Sequence, residues 1–261
     1  AESDRCVCAM HRHLKLTAMN SEFVQLLGNS LPPQPEKQHP FTNSLAIAPN
    51  GDVALLTESG FIQYSSLRNS GQQAELIRLD VIGIRPNELA SISAMEFDAD
   101  GRTLLLWSEN RVGIVELPQS LSSSGGDLRS DEVETNCIFT SLWDANEEGV
   151  PNLVAKASFH NSCAHCVVIL MRKDIIRLVD FRSLQSEVIP LSSNRRFSSF
   201  AFGPAIDWMK FTLVLLTGGG DVYYLCPVIP KGTVLSLAAV EELWFWADQF
   251  QTNSRGYSPY Q

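Results

Sequence analysis

The sequence has no run of about 18 uncharged apolar residues, the length a helix needs to cross a bilayer, so it predicts no transmembrane helix. No apolar stretch follows its first residues, AESDRCVCAMHRH, so it predicts no secretory leader. Basic residues are the minority: 20 Lys and Arg against 29 Asp and Glu give a net charge of −9. Phosphate backbones and anionic lipids are held by basic faces, so this balance argues against direct nucleic-acid binding and against membrane docking. There is no G-x-S-x-G nucleophile motif, no heptad region and no second C-x2-C pair. Helical periodicity is scarce; its best stretch is 234–250, VLSLAAVEELWFWADQF. Without a leader, the six cysteines are expected to be reduced thiols in cytosol or nucleus.

What the chain does have is a core and a repeat. Its 261 residues are 44% hydrophobic, enough to bury a substantial interior. Four segments share one pattern: 45–67, 92–118, 155–181 and 198–228. Each opens on alternating small or apolar residues, then has a polar turn, an apolar run, a second polar turn and another alternating run. That is an antiparallel meander. The second turns centre on Gly60, Asn110, Asp174 and Gly220, steps of 50, 64 and 46 residues, the long step holding a Ser/Gly-rich insertion at 120–134. Periods of about 40–50 residues with four strands per unit mark propeller blades. Asn50-Gly51 and Asp100-Gly101 read as two-residue hairpin turns, with Gly218-Gly219-Gly220-Asp221 in the same role. By composition 31–40 and 120–134 are loops, and the tail NSRGYSPYQ is polar and frayed.

The most chemical-looking stretch is FHNSCAHC, 159–166, where Cys163 and Cys166 form a C-x2-C pair beside His160 and His165. Zinc is often held this way, by four converging donors, and Cys6 and Cys8 are a distant second pair. The repeat places the stretch at the first turn of the third unit, lengthened by two residues. The reading favoured is a turn with buried or half-exposed thiols rather than a metal centre. Thioredoxin-like chemistry needs its C-x-x-C at a helix N-terminus, and phosphate binding by 218–220 needs a helix where a strand, VYYLCPV, follows. His11, His13 and His39 lie in N-terminal segments without a nucleophile motif nearby. Glu147-Glu148 and Glu241-Glu242 read as solvated faces. Trp143, Trp208, Trp244 and Trp246 are either recognition aromatics or, as such residues more often are, fillers of a core or blade interface. The stretch 120–136 is a docking loop or, on the favoured reading, a plain surface insertion.

The stretch 200–243 resembles the nucleoporin 88 family, plant-type members above all. It carries an F-x-F-G motif (Phe200, Phe202-Gly203), then Trp208, a turn at Asp221, and Tyr223-Tyr224 leading to Leu225-Cys226-Pro227-Val228 with Pro230 and Gly232. The third unit and the GIVELP ending of the second are also similar, so the resemblance spans about 92–243. Phe159-His160-Asn161 stands where the family has Trp-His-Pro, and Arg172-Lys173-Asp174 where it has Ser-Ser-Asp.

The resemblance implies an all-β fold, a β-propeller of four-stranded antiparallel blades, seven in that family and incomplete here, with a short C-terminal helix. The expected organisation is an N-terminal segment at 1–40, blades over 41–233, and helix and tail over 234–261. The implied role is that of a structural nucleoporin on the cytoplasmic face of the nuclear pore complex, without catalysis, cofactor or metal. It would support messenger RNA export, protein export and nucleocytoplasmic transport. The implied partners are the C-terminal domain of nucleoporin 98, nucleoporin 214 and the nucleoporin 62 subcomplex, with exportin 1 engaged indirectly. No partner-binding residue is assigned. The alternatives are a WD-type propeller adaptor of another complex, and a propeller enzyme or zinc-binding protein.

Overall fold

Residues 52–56, D-V-A-L-L, and 166–171, C-V-V-I-L-M, are buried at every position. A strand whose side chains are buried on both alternating faces is one covered on both sides. These runs therefore require sheets stacked face to face. The computed structural model describes residues 45–66, 77–118, 135–145, 153–173, 175–191, 196–204 and 206–255, all within the compact unit Phe41–Gln261. The expectations for 1–40, for Asp174 and for the 120–134 insertion fall outside these residues.

The strands come in four consecutive units. The first holds β1 (Leu45–Ile47), β2 (Asp52–Leu56), β3 (Ile62–Ser66) and β4 (Ile77–Ile82); one helical turn, α1 (Pro86–Leu89), follows. The second holds β5 (Ala94–Phe97), β6 (Thr103–Trp107), β7 (Arg111–Glu116) and β8 (Asn136–Asp144). The third holds β9 (Val154–Phe159), β10 (Cys166–Met171), β11 (Ile175–Asp180) and β12 (Gln185–Pro190). The fourth holds β13 (Phe197–Phe202), β14 (Leu213–Thr217) and β15 (Val222–Leu225), with a 3-10 turn at Asp207–Phe211. Helix α2 (Leu237–Arg255) closes the described chain.

Within each unit every pairing is antiparallel. Three features differ from the sequence reading. The fourth unit has three strands rather than four among the described residues. β4 and β8 pair in parallel through Asp80–Ile82 and Asn136–Ile138, joining the first two units into one eight-stranded sheet. Asn136 is therefore strand and not part of the inserted loop. The C-terminal helix is also longer than expected and starts later, because Ser236 caps it: its carbonyl accepts the Val240 N–H at 3.1 Å and its hydroxyl the Ala239 N–H at 3.3 Å.

The core is three layers, one between each pair of neighbouring units. Leu104 and Leu106 of β6 face Ala54, Leu56 and Ile62 of the first unit, while Leu105 faces Val167 and Ile169 of the third. β10 divides likewise: Val167, Ile169 and Met171 pack against the second unit, Val168 and Leu170 against the fourth. Period-two side-chain alternation thus feeds two cores from one strand. Burying each such side chain contributes roughly 1.5–3 kcal/mol, and no unit can hide both faces alone.

The hairpin loops are longer than two residues. At the first, the Gly51 N–H bonds the Ala48 carbonyl at 2.9 Å and the Ala48 N–H bonds the Asp52 carbonyl at 2.8 Å, so Pro49, Asn50 and Gly51 form the loop. The second loop runs from Ala99 to Arg102 inside the Asp98–Thr103 pair, at 2.9 Å. A type I turn rejoins its ladder through a left-handed residue, and glycine supplies it: Gly51 has φ 90° and Gly101 φ 69°. Thr57–Phe61 and Thr217–Asp221 repeat the three-residue form, and in each the threonine hydroxyl accepts the closing N–H, at 3.2 and 3.1 Å.

Candidate functional site

The FHNSCAHC stretch is the β9–β10 loop. Phe159 pairs with Val167, so His160–Cys166 spans the turn where Ala48–Asp52 serves in the first unit. Its chemistry is settled by His160, which is buried. Nδ1 accepts the backbone N–H groups of Ser162 at 3.1 Å and Cys163 at 3.0 Å. An acceptor Nδ1 leaves the proton on Nε2, which donates to the Val228 carbonyl at 2.9 Å. Burial lowers the imidazole pKa below its ordinary value, partly offset by that bond to Val228. Both ring nitrogens are thus engaged, and His160 offers no lone pair to a metal.

The other members of the motif face different ways. Cys163 is buried with its sulfur 4.0 Å from the Thr233 hydroxyl, and burial raises its pKa. Cys166 belongs to the core between the third and fourth units; burial, then the charges of Cys163 and Asp180, push its pKa up to about 12. A thiol ligates or attacks as the thiolate, and this one stays protonated at neutral pH. His165 takes φ 63° and sets its ring edge-on to Phe181 at 5.4 Å. Among the described residues no three of His, Cys, Asp and Glu gather as a metal would require; Cys6 and Cys8 lie outside them. Alkylation of the native chain by iodoacetamide is expected to reach Cys226, whose residue is exposed, well before Cys163 and Cys166. Peptide mass mapping reads the order; early labelling of Cys166 would show that the loop opens.

The loop instead joins the two stretches that carry the family resemblance. The Val228 N–H bonds the Phe211 carbonyl at 2.8 Å, the Ser162 hydroxyl bonds the Lys210 carbonyl at 3.3 Å, and the His160 ring lies 4.9 Å from Phe202. Gly203 of the F-x-F-G motif passes so close to Met209 that a Cβ would collide with its carbonyl. His160 therefore latches the L-C-P-V segment across the end of the fourth unit.

Two polar contacts tie the first strands of consecutive units. Ser158 on β9 donates to Glu96 on β5 at 2.9 Å, and Lys156 on β9 donates from Nζ to the Phe200 carbonyl on β13 at 2.7 Å. Burial raises the Glu96 pKa, opposed by the Ser158 bond and the Lys156 charge; burial lowers that of Lys156, opposed by Glu96. The sequence reading missed this pair. A charged residue inside an otherwise apolar alternating run was the one available signal.

A shallow polar cleft of about 350 Å³ lies over the β6–β7 turn, lined by Glu88, Ser91, Ser93, Ser108, Glu109 and Arg111 among others. Arg111 is held from below and above: Nη2 meets Asp144 Oδ2 at 2.6 Å and Nη1 meets Glu88 Oε2 at 2.9 Å. The Arg111 guanidinium keeps the half-buried Glu88 carboxyl below the usual carboxylate range. Two carboxylates on one guanidinium make a structural clamp and leave it poorly placed to take an anion.

The remaining sequence candidates are scattered. Trp143 is buried in the core, and Trp208 and Trp246 meet at 5.7 Å between the 3-10 turn and α2. Trp244 departs from the core or interface role expected of it, standing 78% exposed on α2. Gly218–Gly220 is a hairpin loop leading into β15. Glu241 is exposed and Glu242 half-buried; Glu147 and Glu148 lie outside the described residues.

Consecutive antiparallel units with a core between each pair define a β-propeller. Over 90% of its length the chain superposes, at TM-score 0.59 and 14% identity, on a chain of the Chaetomium thermophilum heterotrimeric Nup82 NTD–Nup159 TAIL–Nup145N APD complex, covering 50% of that chain. A chain of the yeast heterotrimeric Nup82–Nup159–Nup116 nucleoporin complex gives TM-score 0.48 and 16% identity, over 84% of this chain and 49% of that one. No family model matches. In sequence, 57 residues are 35% identical to nuclear pore complex protein NUP88 of Arabidopsis thaliana, 22% of this chain and 7% of that protein. This match bears out the resemblance to the nucleoporin 88 family read from the residues. The chain spans about half the length of the solved chain it superposes on, and the match covers a small part of the curated relative.

Proposed function

We propose that the chain is a non-catalytic scaffold of the nuclear pore complex, acting on the cytoplasmic side of the nuclear envelope. The observation that carries this is the 57-residue match to NUP88. The stacked units agree with it: a scaffold of packed blades can present loops to partners. On this reading the blades over 41–233 are the scaffold, and 234–261 extends from them. The partners are other nucleoporins, among them the C-terminal domain of nucleoporin 98, nucleoporin 214 and the nucleoporin 62 subcomplex. Export of messenger RNA and of exportin-1 cargo would depend on the assembly rather than on chemistry in this chain. Support for nucleoporin partners comes from the solved chain of like fold, which is crystallised with other nucleoporins.

The test is affinity purification of the tagged chain after mild crosslinking, with imaging of the same tag. Enrichment of these nucleoporins and a nuclear-rim signal are expected. A different stable complex without nucleoporins would overturn the reading in favour of a WD-type adaptor.

A further inference from the structure

Asn50 is the one asparagine in the sequence that a glycine follows. An asparagine before glycine carries a reaction in its own backbone. The next residue's amide nitrogen attacks the side-chain Cγ, and glycine has no Cβ to hinder the approach. A C–N bond closes a succinimide ring, the bond from Cγ to Nδ2 breaks, and ammonia leaves with the proton that the backbone nitrogen gives up. Water then opens the ring at either carbonyl, leaving aspartate or isoaspartate. Solvent supplies that water, and no other reactant is needed.

Both reacting groups are engaged in the folded chain. The Gly51 N–H donates to the Ala48 carbonyl at 2.9 Å, and Asn50 Oδ1 accepts the Asp52 N–H at 2.9 Å. The carboxamide is also packed: Asn50 Nδ2 is buried, and a Cβ at Gly101 would collide with it. Gly101 is itself buried, at φ 69°, in the matching turn of the second unit. The first turns of the two units thus meet at Asn50 and Gly101, with the Ala48 methyl beside them. Both turns are rich in acid. Asp52 is buried two residues after Asn50, and Asp98 and Asp100 belong to the second turn, whose one cation is Arg102.

We propose that Asn50 is a site of spontaneous deamidation gated by the fold, and that its product loosens the joint between the first two units. While the turn is closed, its hydrogen bonds hold the Gly51 nitrogen and the Asn50 side chain to other partners. Cyclisation therefore waits for local opening, and its rate follows the fraction of time the turn is open. The product does not restore the same contact. Aspartate sets a negative charge against Gly101 between two acidic turns, where taking it out of water is costly. Isoaspartate adds a methylene to the backbone between Ala48 and Asp52 and spoils the fit of the hairpin. The chain thus keeps a chemical record of the openings of its first turn. The inference rests on the two turns and not on the nucleoporin reading, so either can fail without the other.

The test incubates the whole chain in mildly alkaline buffer, folded and in urea. Peptide mapping that separates the asparagine, aspartate and isoaspartate forms at residue 50 gives the rates. Hydrogen exchange at the Gly51 amide measures opening of the turn in parallel. Deamidation at Asn50 is expected in urea, slowed about tenfold or more in the folded chain and in step with protection of the Gly51 amide. Asn50→Asp keeps an acceptor for the Asp52 N–H and adds the charge, so its urea midpoint should fall below that of wild type. Gln185→Glu adds the same charge at an exposed position of β12 and should leave the midpoint unchanged. Equal rates in the folded and unfolded chain, no deamidation at Asn50 in urea, or an unchanged midpoint for Asn50→Asp would each overturn the proposal.

Discussion

Replacing His160 with alanine is expected to destabilise the chain by about 2–6 kcal/mol, through two buried polar groups left without partners at about 1–3 kcal/mol each. The groups are the Val228 carbonyl and the Cys163 N–H, both of which His160 now satisfies. Urea unfolding measures the loss as a lower midpoint. The same residue carries a pH signature. Burial lowers its pKa in the fold below the ordinary 6.5 of the unfolded chain. The unfolded chain therefore takes the proton first, and the histidine's contribution is full above 6.5. It is lost progressively as pH falls from there towards the folded pKa. The difference in stability between wild type and His160→Gln should accordingly shrink on acidification through this window. A difference that stays constant with pH would show that the ring's protonation plays no part in the latch.

The second large effect is expected on β10. Ile169 and Leu170 are adjacent and both fully buried, yet they belong to different cores: Ile169 to the one shared with the second unit, Leu170 to the one shared with the fourth. Truncating either to alanine opens a cavity and should cost about 2–5 kcal/mol. The two losses should be nearly additive, because the side chains point to opposite faces of the sheet and share no cavity. Chemical denaturation of the two single variants and the double variant checks this. Strong non-additivity would mean that the two layers behave as one core.

The repeat was readable because burial on both faces writes itself into composition. Runs such as 53–56 and Cys166–Met171 have to be apolar when a unit lies on each side. The fourth strands were harder to see. β4 is I-R-L-D-V-I, with only Leu79 fully buried, and β12 is half-exposed along its length, so neither stands out from a loop by hydropathy. Loop lengths went astray by one or two residues, since Asn-Gly and Asp-Gly suit both a two-residue turn and the longer turn that ends in a left-handed glycine.

The sequence by itself determined that the chain is a stack of antiparallel meanders, and it pointed through F-x-F-G and L-C-P-V to a nucleoporin 88-like propeller. These properties are local: periodicity, turn residues and short motifs act over a few neighbouring positions. Only the tertiary structure decided the role of FHNSCAHC. His160 meets its partner Val228 across 68 positions. Contacts of such separation depend on how whole units pack, and no local pattern of residue types encodes them.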